Sequence, residues 1–321
     1  MFKLTKISKE VEKSTLIKDI SLTFEGKGVF GILDLDGASK ESVLRIASGV
    51  DRSFKGEIEL DGNQYTANSS EKDIIDLKKH VGYVPADMPF YGDMTVYELL
   101  DFVGNAKKIA EELKARQIKE AMELTGIYEY RNVIFSNLSA FVKTNVALSA
   151  ALLGSPSVIL LDEPTLGMTT VEAERFFAVI SMIGRAKTVI VATKNADTVQ
   201  TLCSNVALIF NGKLVFQNTL SEIADMINAT ETHLVRIVSK NGGGVEEATS
   251  LLGSAKGICE VALRNVSSAG EMNIKLECEK GYTSDDLRSL IESGGYIVLD
   301  DERVTLSLSD LCSALIRREE D

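Results

Sequence analysis

The sequence predicts an α/β domain followed by a smaller α+β domain, and three observations support this division. Two apolar runs of strand length, residues 28–33 and 158–161, each end in polar residues. Between them, residues 98–108 and 110–124 carry apolar side chains at spacings of three and four, which indicates helices. After residue 230 the predicted elements follow the order βαββαβ, which is typical of a ferredoxin-like sandwich.

The composition is that of a folded, acidic protein. The chain has 321 residues, of which 45% are hydrophobic and 26% charged. Its 35 basic and 47 acidic side chains give a formal charge of −12, which argues against a nucleic-acid partner held through phosphate contacts. No apolar run reaches the roughly 18 residues of a spanning helix, and the N-terminus lacks the apolar segment of a signal peptide. We therefore expect a cytoplasmic protein.

The first apolar run leads into a loop with features of a phosphate-binding loop. Such a loop places backbone N–H groups and a helix N-terminus around phosphate oxygens, while a lysine neutralises charge and a hydroxyl holds Mg²⁺. The usual pattern is G-x-x-x-x-G-K-[ST]. Residues 34–42, here called the phosphate loop, read Asp-Leu-Asp-Gly-Ala-Ser-Lys-Glu-Ser. Gly37 and Lys40 are kept.

Three positions of the phosphate loop depart from the pattern. Asp34 and Ser39 replace the two glycines, Glu41 replaces the hydroxyl residue, and Ser42 offers a hydroxyl one position later. Asp34, Asp36 and Glu41 would place three carboxylates around the phosphate, where each like-charge pair near 4 Å costs about 1 kcal/mol in water and about 4 kcal/mol at an effective dielectric of 20. The lost glycines also tolerated positive φ. The loop predicts weak triphosphate binding.

The second apolar run ends in two adjacent acids, Asp162 and Glu163, here called the carboxylate pair. With the elements that follow it, this run resembles the nucleotide-binding subunit of an ABC transporter over residues 1–228. The resemblance implies that Asp162 holds Mg²⁺ and that Glu163 is the catalytic residue that polarises the attacking water. It implies ATP and Mg²⁺ as cofactors. The nucleotide-binding positions that it implies are Gly37, Ala38, Ser39, Lys40, Glu41, Ser42 and Lys194.

The remaining motifs of this family are recognisable by position but altered in content. A helical subdomain is predicted at about residues 95–153, and its signature segment, normally L-S-G-G-Q, reads Leu-Ser-Ala-Phe-Val. Within it only Ser139 keeps a group that could meet a γ-phosphate. The position of the usual glutamine is Ala86, and that of the switch histidine is Lys194. A lysine brings a cation, but it cannot both donate and accept a proton at neutral pH.

The resemblance also implies partners and a location. ABC subunits work as dimers in which each site joins the phosphate loop of one subunit to the signature segment of the other. We therefore expect a homodimer, or a heterodimer with another ABC ATPase subunit, attached to an integral-membrane permease at the inner face of the cell membrane. A homodimer would hold two copies of the same altered site.

Residues 231–321 are predicted to form a ferredoxin-like C-terminal domain. Its predicted elements are strands 234–238, 258–266, 272–278 and 296–299 and helices 245–252 and 284–293. The final stretch, residues 304–311, resembles the S-L-E-D-x-F ending of ABC subunits of bacterial export systems. That resemblance implies an export-type transporter and a regulatory or dimerising role for the domain.

Three functions remain open from the sequence. The favoured one is a nucleotide-binding subunit of an export-type ABC transporter with degenerate motifs and impaired ATP binding and hydrolysis, which acts with a permease and a competent ATPase partner. The alternative is an active ATP-hydrolysing subunit in which Glu41 joins Asp162 in holding Mg²⁺, a role that suits carboxylates. The second alternative is a non-catalytic soluble interaction module.

Overall fold

The computed structural model describes residues 1–11, 14–37, 39–87, 92–227, 230–240, 242–304 and 307–320. The chain forms two compact units, Met1–Leu220 and Ser221–Asp321. The predicted domain boundary at Asn228 lies outside the described residues.

The first unit contains two β-sheets. Its strands are β1 Phe2–Val11, β2 Ser14–Phe24, β3 Gly28–Asp34, β4 Lys55–Leu60, β5 Asn63–Tyr65, β6 Val81–Val84, β7 Val158–Asp162, β8 Thr188–Thr193, β9 Asn205–Phe210 and β10 Lys213–Thr219. The smaller sheet is antiparallel, with the order β2-β1-β4-β5. The larger sheet has the order β10-β9-β3-β8-β7-β6 and is parallel except for the hairpin of β9 and β10.

Helices connect these strands. They are α1 Lys40–Ala47, α2 Glu71–His80, α3 Val96–Ala106, α4 Glu111–Leu124, α5 Ala140–Leu152, α6 Thr170–Gly184 and α7 Ala196–Leu202, with short 3₁₀ turns at Tyr128–Tyr130 and Phe135–Asn137. Helix α8, Leu220–Ile227, follows β10 and begins at the last residue of the first unit. Capping boxes fix the starts of α2, α3 and α6, because a Ser or Thr hydroxyl and an acidic side chain three residues later each accept a backbone N–H. Within the described part of the chain, no helix is long and apolar enough to cross a membrane.

The central strands of the larger sheet are buried on both faces, which explains their continuous apolar sequences. Because β3, β7 and β8 are parallel, their carboxyl ends lie at the same edge of the sheet. In the register of the sheet, Leu33 lies beside Thr193 and Asp162 lies beside Ala192. The fold therefore brings the phosphate loop, the carboxylate pair and Lys194 to one edge.

Local predictions for the first unit agree with the structure. Helices α3 and α4 cover the two stretches with helical periodicity. The turn between β9 and β10 has Asn211 at φ +47° and Gly212 at φ +74°. Positive φ at both central residues is the requirement of a type I′ hairpin turn, which is the turn that an Asn-Gly pair between two apolar runs favours.

The second unit has a four-stranded antiparallel sheet. Its elements are β11 Thr230–Ser239, α9 Val245–Gly253, β12 Ile258–Val266, β13 Met272–Glu279, α10 Ser284–Ser293, β14 Tyr296–Val304 and α11 Leu308–Glu320. The sheet order β12-β13-β11-β14 places the first strand between the third and the fourth, as two interleaved βαβ halves require. The predicted ferredoxin-like class is confirmed. Helix α11 was not predicted, and Thr305 and Leu306 of the tail lie outside the described residues.

Candidate functional site

The candidate site lies where β3, β7 and β8 end. Asp34, Asp162 and Thr193 are the last residues of these strands. The phosphate loop follows β3 and enters helix α1, which begins at Lys40. All of these groups belong to the first unit, so the packing of that unit determines the distances between them.

The carboxylate of Asp34 lies inside the phosphate loop. It accepts hydrogen bonds from the backbone N–H groups of Gly37 at 3.2 Å, Ser39 at 2.9 Å and Lys40 at 2.8 Å. We call these three donors the N–H nest. The Asp34 side chain is completely buried, with 0% exposure. Donors of this kind at a helix N-terminus are the groups that bind phosphate in a phosphate loop, so an internal carboxylate holds the place of the anion.

The environment of Asp34 moves its titration toward neutrality. Burial raises the pKa of Asp34 to about 7, and a hydrogen bond with Asp36 adds to the rise, while the N–H groups of Lys40 and Ser39 oppose it. The cause is that a buried carboxylate loses its hydration, and the N–H donors replace only part of it. The internal ligand of the N–H nest is therefore sensitive to pH near 7.

The other two acids of the loop have contacts outside the N–H nest. The Asp36 carboxylate accepts the backbone N–H of Asn211 at 3.1 Å. The Glu41 side chain is 62% exposed and lies 3.9 Å from the Arg45 guanidinium. The prediction that three carboxylates surround the phosphate position is therefore wrong for Glu41, which turns outward; Asp34 fills the position as a bonded acceptor, and Asp36 is hydrogen-bonded to Asp34.

The replaced glycine at position 39 causes no backbone strain. Ser39 has φ −103°, a value open to any residue, and its hydroxyl donates to the carbonyl of Leu16 at 3.2 Å. Gly37 has φ +70°, and a Cβ atom at this position would collide with the side chain of Lys194. The Lys194 Nζ atom donates to the carbonyl of Asp36 at 3.4 Å. Lys194 therefore lies across the loop; the predicted site residue Ala38 lies outside the described residues.

The lysine of the phosphate-loop pattern, Lys40, is already paired with carboxylates. The Nζ atom of Lys40 lies 2.9 Å from Oδ1 of Asp162 and 3.3 Å from Oε1 of Glu163. Burial lowers the pKa of Lys40, but the two carboxylates outweigh it and raise the pKa above its ordinary value. Burial raises the pKa of Asp162, against the opposing effect of Lys40. The ammonium group that would neutralise a phosphate instead neutralises the carboxylate pair.

Both carboxylate oxygens of Glu163 accept hydrogen bonds. Its Oε2 atom accepts the hydroxyl of Thr193 at 2.8 Å, and its Oε1 atom accepts the backbone N–H of Lys194 at 2.9 Å. Its backbone has φ +43°, in the left-handed region that ordinary side chains avoid. Thr193 is a site residue that the sequence prediction missed. The available signal was its position as a polar residue at the end of a buried strand.

Two predicted site residues have structural contacts instead. The hydroxyl of Ser42 accepts from Nζ of Lys9 at 3.4 Å, and the same ammonium binds Asp51 at 2.6 Å. Ser139 is the N-cap of α5, where its hydroxyl accepts the backbone N–H of Val142 at 3.4 Å. Neither hydroxyl shares a hydrogen bond with the carboxylate pair.

The residues of this site do not fit a bound magnesium triphosphate in the observed arrangement. The N–H nest is bonded to Asp34, the ammonium of Lys40 is bonded to the carboxylate pair, and Glu41 points outward at the hydroxyl position. Among the described residues, no group of three or more His, Cys, Asp or Glu side chains could hold a metal ion.

A cavity of about 290 Å³ lies beside the carboxylate pair. Its lining includes Ala86 and Lys143.

Comparisons with known proteins give the family context. A family model described as ABC transporter matches residues 17–166. Methionine import ATP-binding protein MetN 1 of Salmonella typhimurium is 25% identical over 229 residues, which cover 70% of this chain and 66% of the relative. MetN of Haemophilus influenzae is 28% identical over 232 residues, with 70% and 66% covered. The match thus spans just under two-thirds of the length of these curated relatives.

Solved structures share the fold. The cbiO1 protein from Clostridium perfringens, described as part of the ABC transporter complex cbiONQ, aligns with a TM-score of 0.62 and 23% identity over 71% of this chain and 94% of its own. The ATP-binding cassette MJ0796 in a dimeric post-hydrolysis state bound to ADP and Pi aligns with a TM-score of 0.62 and 19% identity over 68% and 99%. These likenesses, with the family match, confirm the predicted fold class.

Proposed function

We propose that the first unit, an ABC transporter ATP-binding domain, belongs to the nucleotide-binding subunit of a transporter and binds and hydrolyses ATP only weakly. A membrane permease is its partner, and a second, competent ATPase subunit supplies most of the hydrolysis. The observation that carries this proposal is the buried ion pair between Lys40 and Asp162, at 2.9 Å, with Glu163 at 3.3 Å.

This ion pair opposes nucleotide binding directly. A phosphate that arrives without Mg²⁺ and recruits Lys40 must take the ammonium from two carboxylates and leave them without a cation in a nearly closed site. The side chains of Lys40 and Asp162 are 7% and 1% exposed, so water cannot compensate for the loss. Leaving a buried charge unpaired costs about 3–5 kcal/mol. That cost is subtracted from the affinity for ATP without Mg²⁺, and Mg²⁺ beside Asp162 would offset it.

A heterodimer agrees best with such a site. In a homodimer both composite sites would contain the same engaged lysine. Ser139, the remaining signature position, is exposed but caps α5 in this unit. A competent partner subunit would bring an unaltered phosphate loop to one of the two composite sites.

The direction of transport needs separate support. The curated relatives are named as import ATP-binding proteins, which favours import over the export type predicted from residues 304–311. That stretch begins in β14 and continues into α11, and its residues Thr305 and Leu306 lie outside the described part of the chain.

The two other candidate functions have less support. An active subunit that uses Glu41 as a second magnesium ligand is not favoured, because Glu41 is exposed and pairs with Arg45. A soluble interaction module would show the same ion pair around Lys40. Co-purification of a membrane permease with the full chain would separate the module from the transporter subunit.

The proposed function is tested by ATP hydrolysis of the purified full chain, with Glu163→Gln as the inactive reference. We expect the wild type and the reference to hydrolyse ATP at rates that differ by less than about tenfold, equivalent to 1.4 kcal/mol. A chain that alone turns over ATP at about 1 s⁻¹ or faster, the lower end of ordinary enzymes, and loses this activity in Glu163→Gln would refute the proposal.

A further inference from the structure

We propose that Asp34 is a built-in ligand of the phosphate loop, whose carboxyl group occupies the phosphate position in the absence of nucleotide. The inference rests on the proposed function, because it concerns the same loop, but it names a different cause. In this view the site is not simply damaged. It is filled, and any phosphate must first displace Asp34.

The hydrogen-bond geometry supports this inference. Both carboxylate oxygens are used: Oδ1 accepts from Gly37 at 3.2 Å, and Oδ2 accepts from Ser39 at 2.9 Å and Lys40 at 2.8 Å. The last two donors are the N-cap and the first residue of α1, so the charge also lies at the positive end of the helix dipole. A phosphate oxygen would use the same donors.

The neighbouring groups complete a site that needs no external ligand. Lys40 is satisfied by the carboxylate pair, and the Lys194 side chain packs against Gly37. Asp34 is fully buried, so its place is closed to solvent as well as occupied. The N–H nest, the ammonium and the loop surface are therefore all in contact with protein groups.

Covalent linkage gives Asp34 a large advantage over a free anion. A ligand tethered by a short segment competes at an effective concentration in the millimolar range or above. Asp34 is separated from its donors by three to six residues and comes from the rigid end of β3. A triphosphate must exceed this internal concentration before it gains any contact with the N–H nest.

Charge repulsion offers a competing explanation for weak binding, and the chain provides a matched comparison. Asp34 and Asp36 are acids of the same loop and share a hydrogen bond, but Asp34 accepts from the N–H nest, whereas Asp36 accepts the backbone N–H of Asn211. Repulsion predicts that removing either charge helps an incoming phosphate to a similar extent. Occupancy predicts that only emptying the position of Asp34 helps.

The test uses the full chain and isothermal titration with pyrophosphate and with magnesium ATP. The variants are Asp34→Gly, which empties the N–H nest, Asp34→Asn, which keeps its bulk without charge, and Asp36→Asn, which removes a charge outside it. We expect Asp34→Gly to bind both probes at least about tenfold more tightly than the wild type. The other two variants should stay within about threefold of the wild type, because the nest remains filled.

Two outcomes would overturn the inference. If Asp36→Asn or Asp34→Asn strengthens binding as much as Asp34→Gly, repulsion is the cause. If Asp34→Gly is folded by circular dichroism and binds neither probe more tightly than the wild type, Asp34 does not block the loop. Asp34→Ala serves in place of the glycine variant if that one does not fold.

A measurement on the wild type makes the inference independent of any variant. Amide hydrogen exchange of Gly37, Ser39 and Lys40 should be slow in the nucleotide-free protein and change by less than about twofold with added magnesium ATP. Fast exchange of these amides without nucleotide would refute built-in occupancy. If these amides exchange fast and ATP hydrolysis is still absent, the inference fails and the proposed function stands. If the amides exchange slowly and ATP hydrolysis is rapid, only the proposed function fails.

Discussion

The phosphate loop and the carboxylate pair lie at the same edge of one sheet, yet they have changed in opposite ways. The loop has lost most of its typical residues but keeps the backbone geometry of an anion site, because Asp34 bonds the N–H nest. The carboxylate pair keeps its residues, but Lys40, Thr193 and Lys194 engage them. The difference teaches that intact residues do not guarantee an available site, and that altered residues can preserve its shape.

The largest effect is expected from removing Lys40, the cation that links the phosphate loop to the carboxylate pair. Lys40→Met leaves Asp162 and Glu163 buried without a counter-charge, and we expect the free energy of unfolding to fall by about 3–5 kcal/mol. Because the chain has no tryptophan, urea unfolding should be followed by circular dichroism. Arg45→Met is the control on the same helix, since its pair with Glu41 is exposed and worth less than about 1 kcal/mol. Equal losses in both variants would show that the pair around Lys40 is not structural.

The pH dependence of stability sharpens the account of Asp34. Its pKa rises from 3.8 to about 7 on folding, so the folded protein holds the proton more tightly than the unfolded chain does. The contribution of Asp34 to stability is therefore greatest below the unfolded pKa and falls as pH rises through 4 to 7, by an amount of order 4 kcal/mol.

Asp34→Asn removes this titration and keeps the shape of the side chain. As pH rises from about 4.5 to 7.5, the free energy of unfolding of the wild type should fall relative to that of Asp34→Asn, measured by urea unfolding at each pH. Asp162 titrates in both proteins, so its contribution cancels. A difference that stays constant over this range would mean that Asp34 has an ordinary pKa in the folded protein.

The support given to Glu163 is a smaller effect. Thr193→Val keeps the shape of the buried side chain but removes the hydroxyl that Glu163 accepts at 2.8 Å. We expect a loss of about 1–3 kcal/mol, because a charged acceptor loses a donor in a partly buried place. Thr188→Val, at the half-buried start of the same strand, is the matched control, because its hydroxyl donates to a neutral acceptor, the Gly26 carbonyl, at 2.6 Å. If Thr193→Val loses no more unfolding free energy than the control, the hydroxyl of Thr193 does not stabilise Glu163.

The smallest expected effect concerns Ser139. Ser139→Ala should cost about 1 kcal/mol in thermal or urea unfolding because helix α5 loses its N-cap. Ser139→Asn should retain most of the stability, since asparagine also caps helices well. If both variants are equally destabilised, the hydroxyl has a contact other than the cap.

The sequence was most informative where periodicity and turn chemistry act locally. Strands β3, β7 and β8, helices α3 and α4, and the Asn-Gly hairpin all follow from patterns of neighbouring residues. The parallel strands then determine which loops meet, so the assembly of the site edge was also predictable. What the sequence could not give was the direction of single side chains.

Asp34 and Thr193 illustrate that limit. An aspartate in a phosphate loop indicates repulsion when it is treated as a point charge, but its rotamer turns it into an acceptor for three N–H groups. Thr193 reaches Glu163 only because β7 and β8 are adjacent. Glu41 shows the reverse case, since a carboxylate proposed as a magnesium ligand turns outward to Arg45. Each result depends on packing between distant segments.

The most direct test of the central claim is a crystal structure of the wild-type chain grown with millimolar magnesium ATP. The account predicts both oxygens of the Asp34 carboxylate within hydrogen-bond distance of the N–H groups of Gly37, Ser39 and Lys40, and Lys40 still paired with Asp162. Phosphate oxygens bonded to the N–H nest, with Asp34 turned away and Lys40 on the nucleotide, would contradict it.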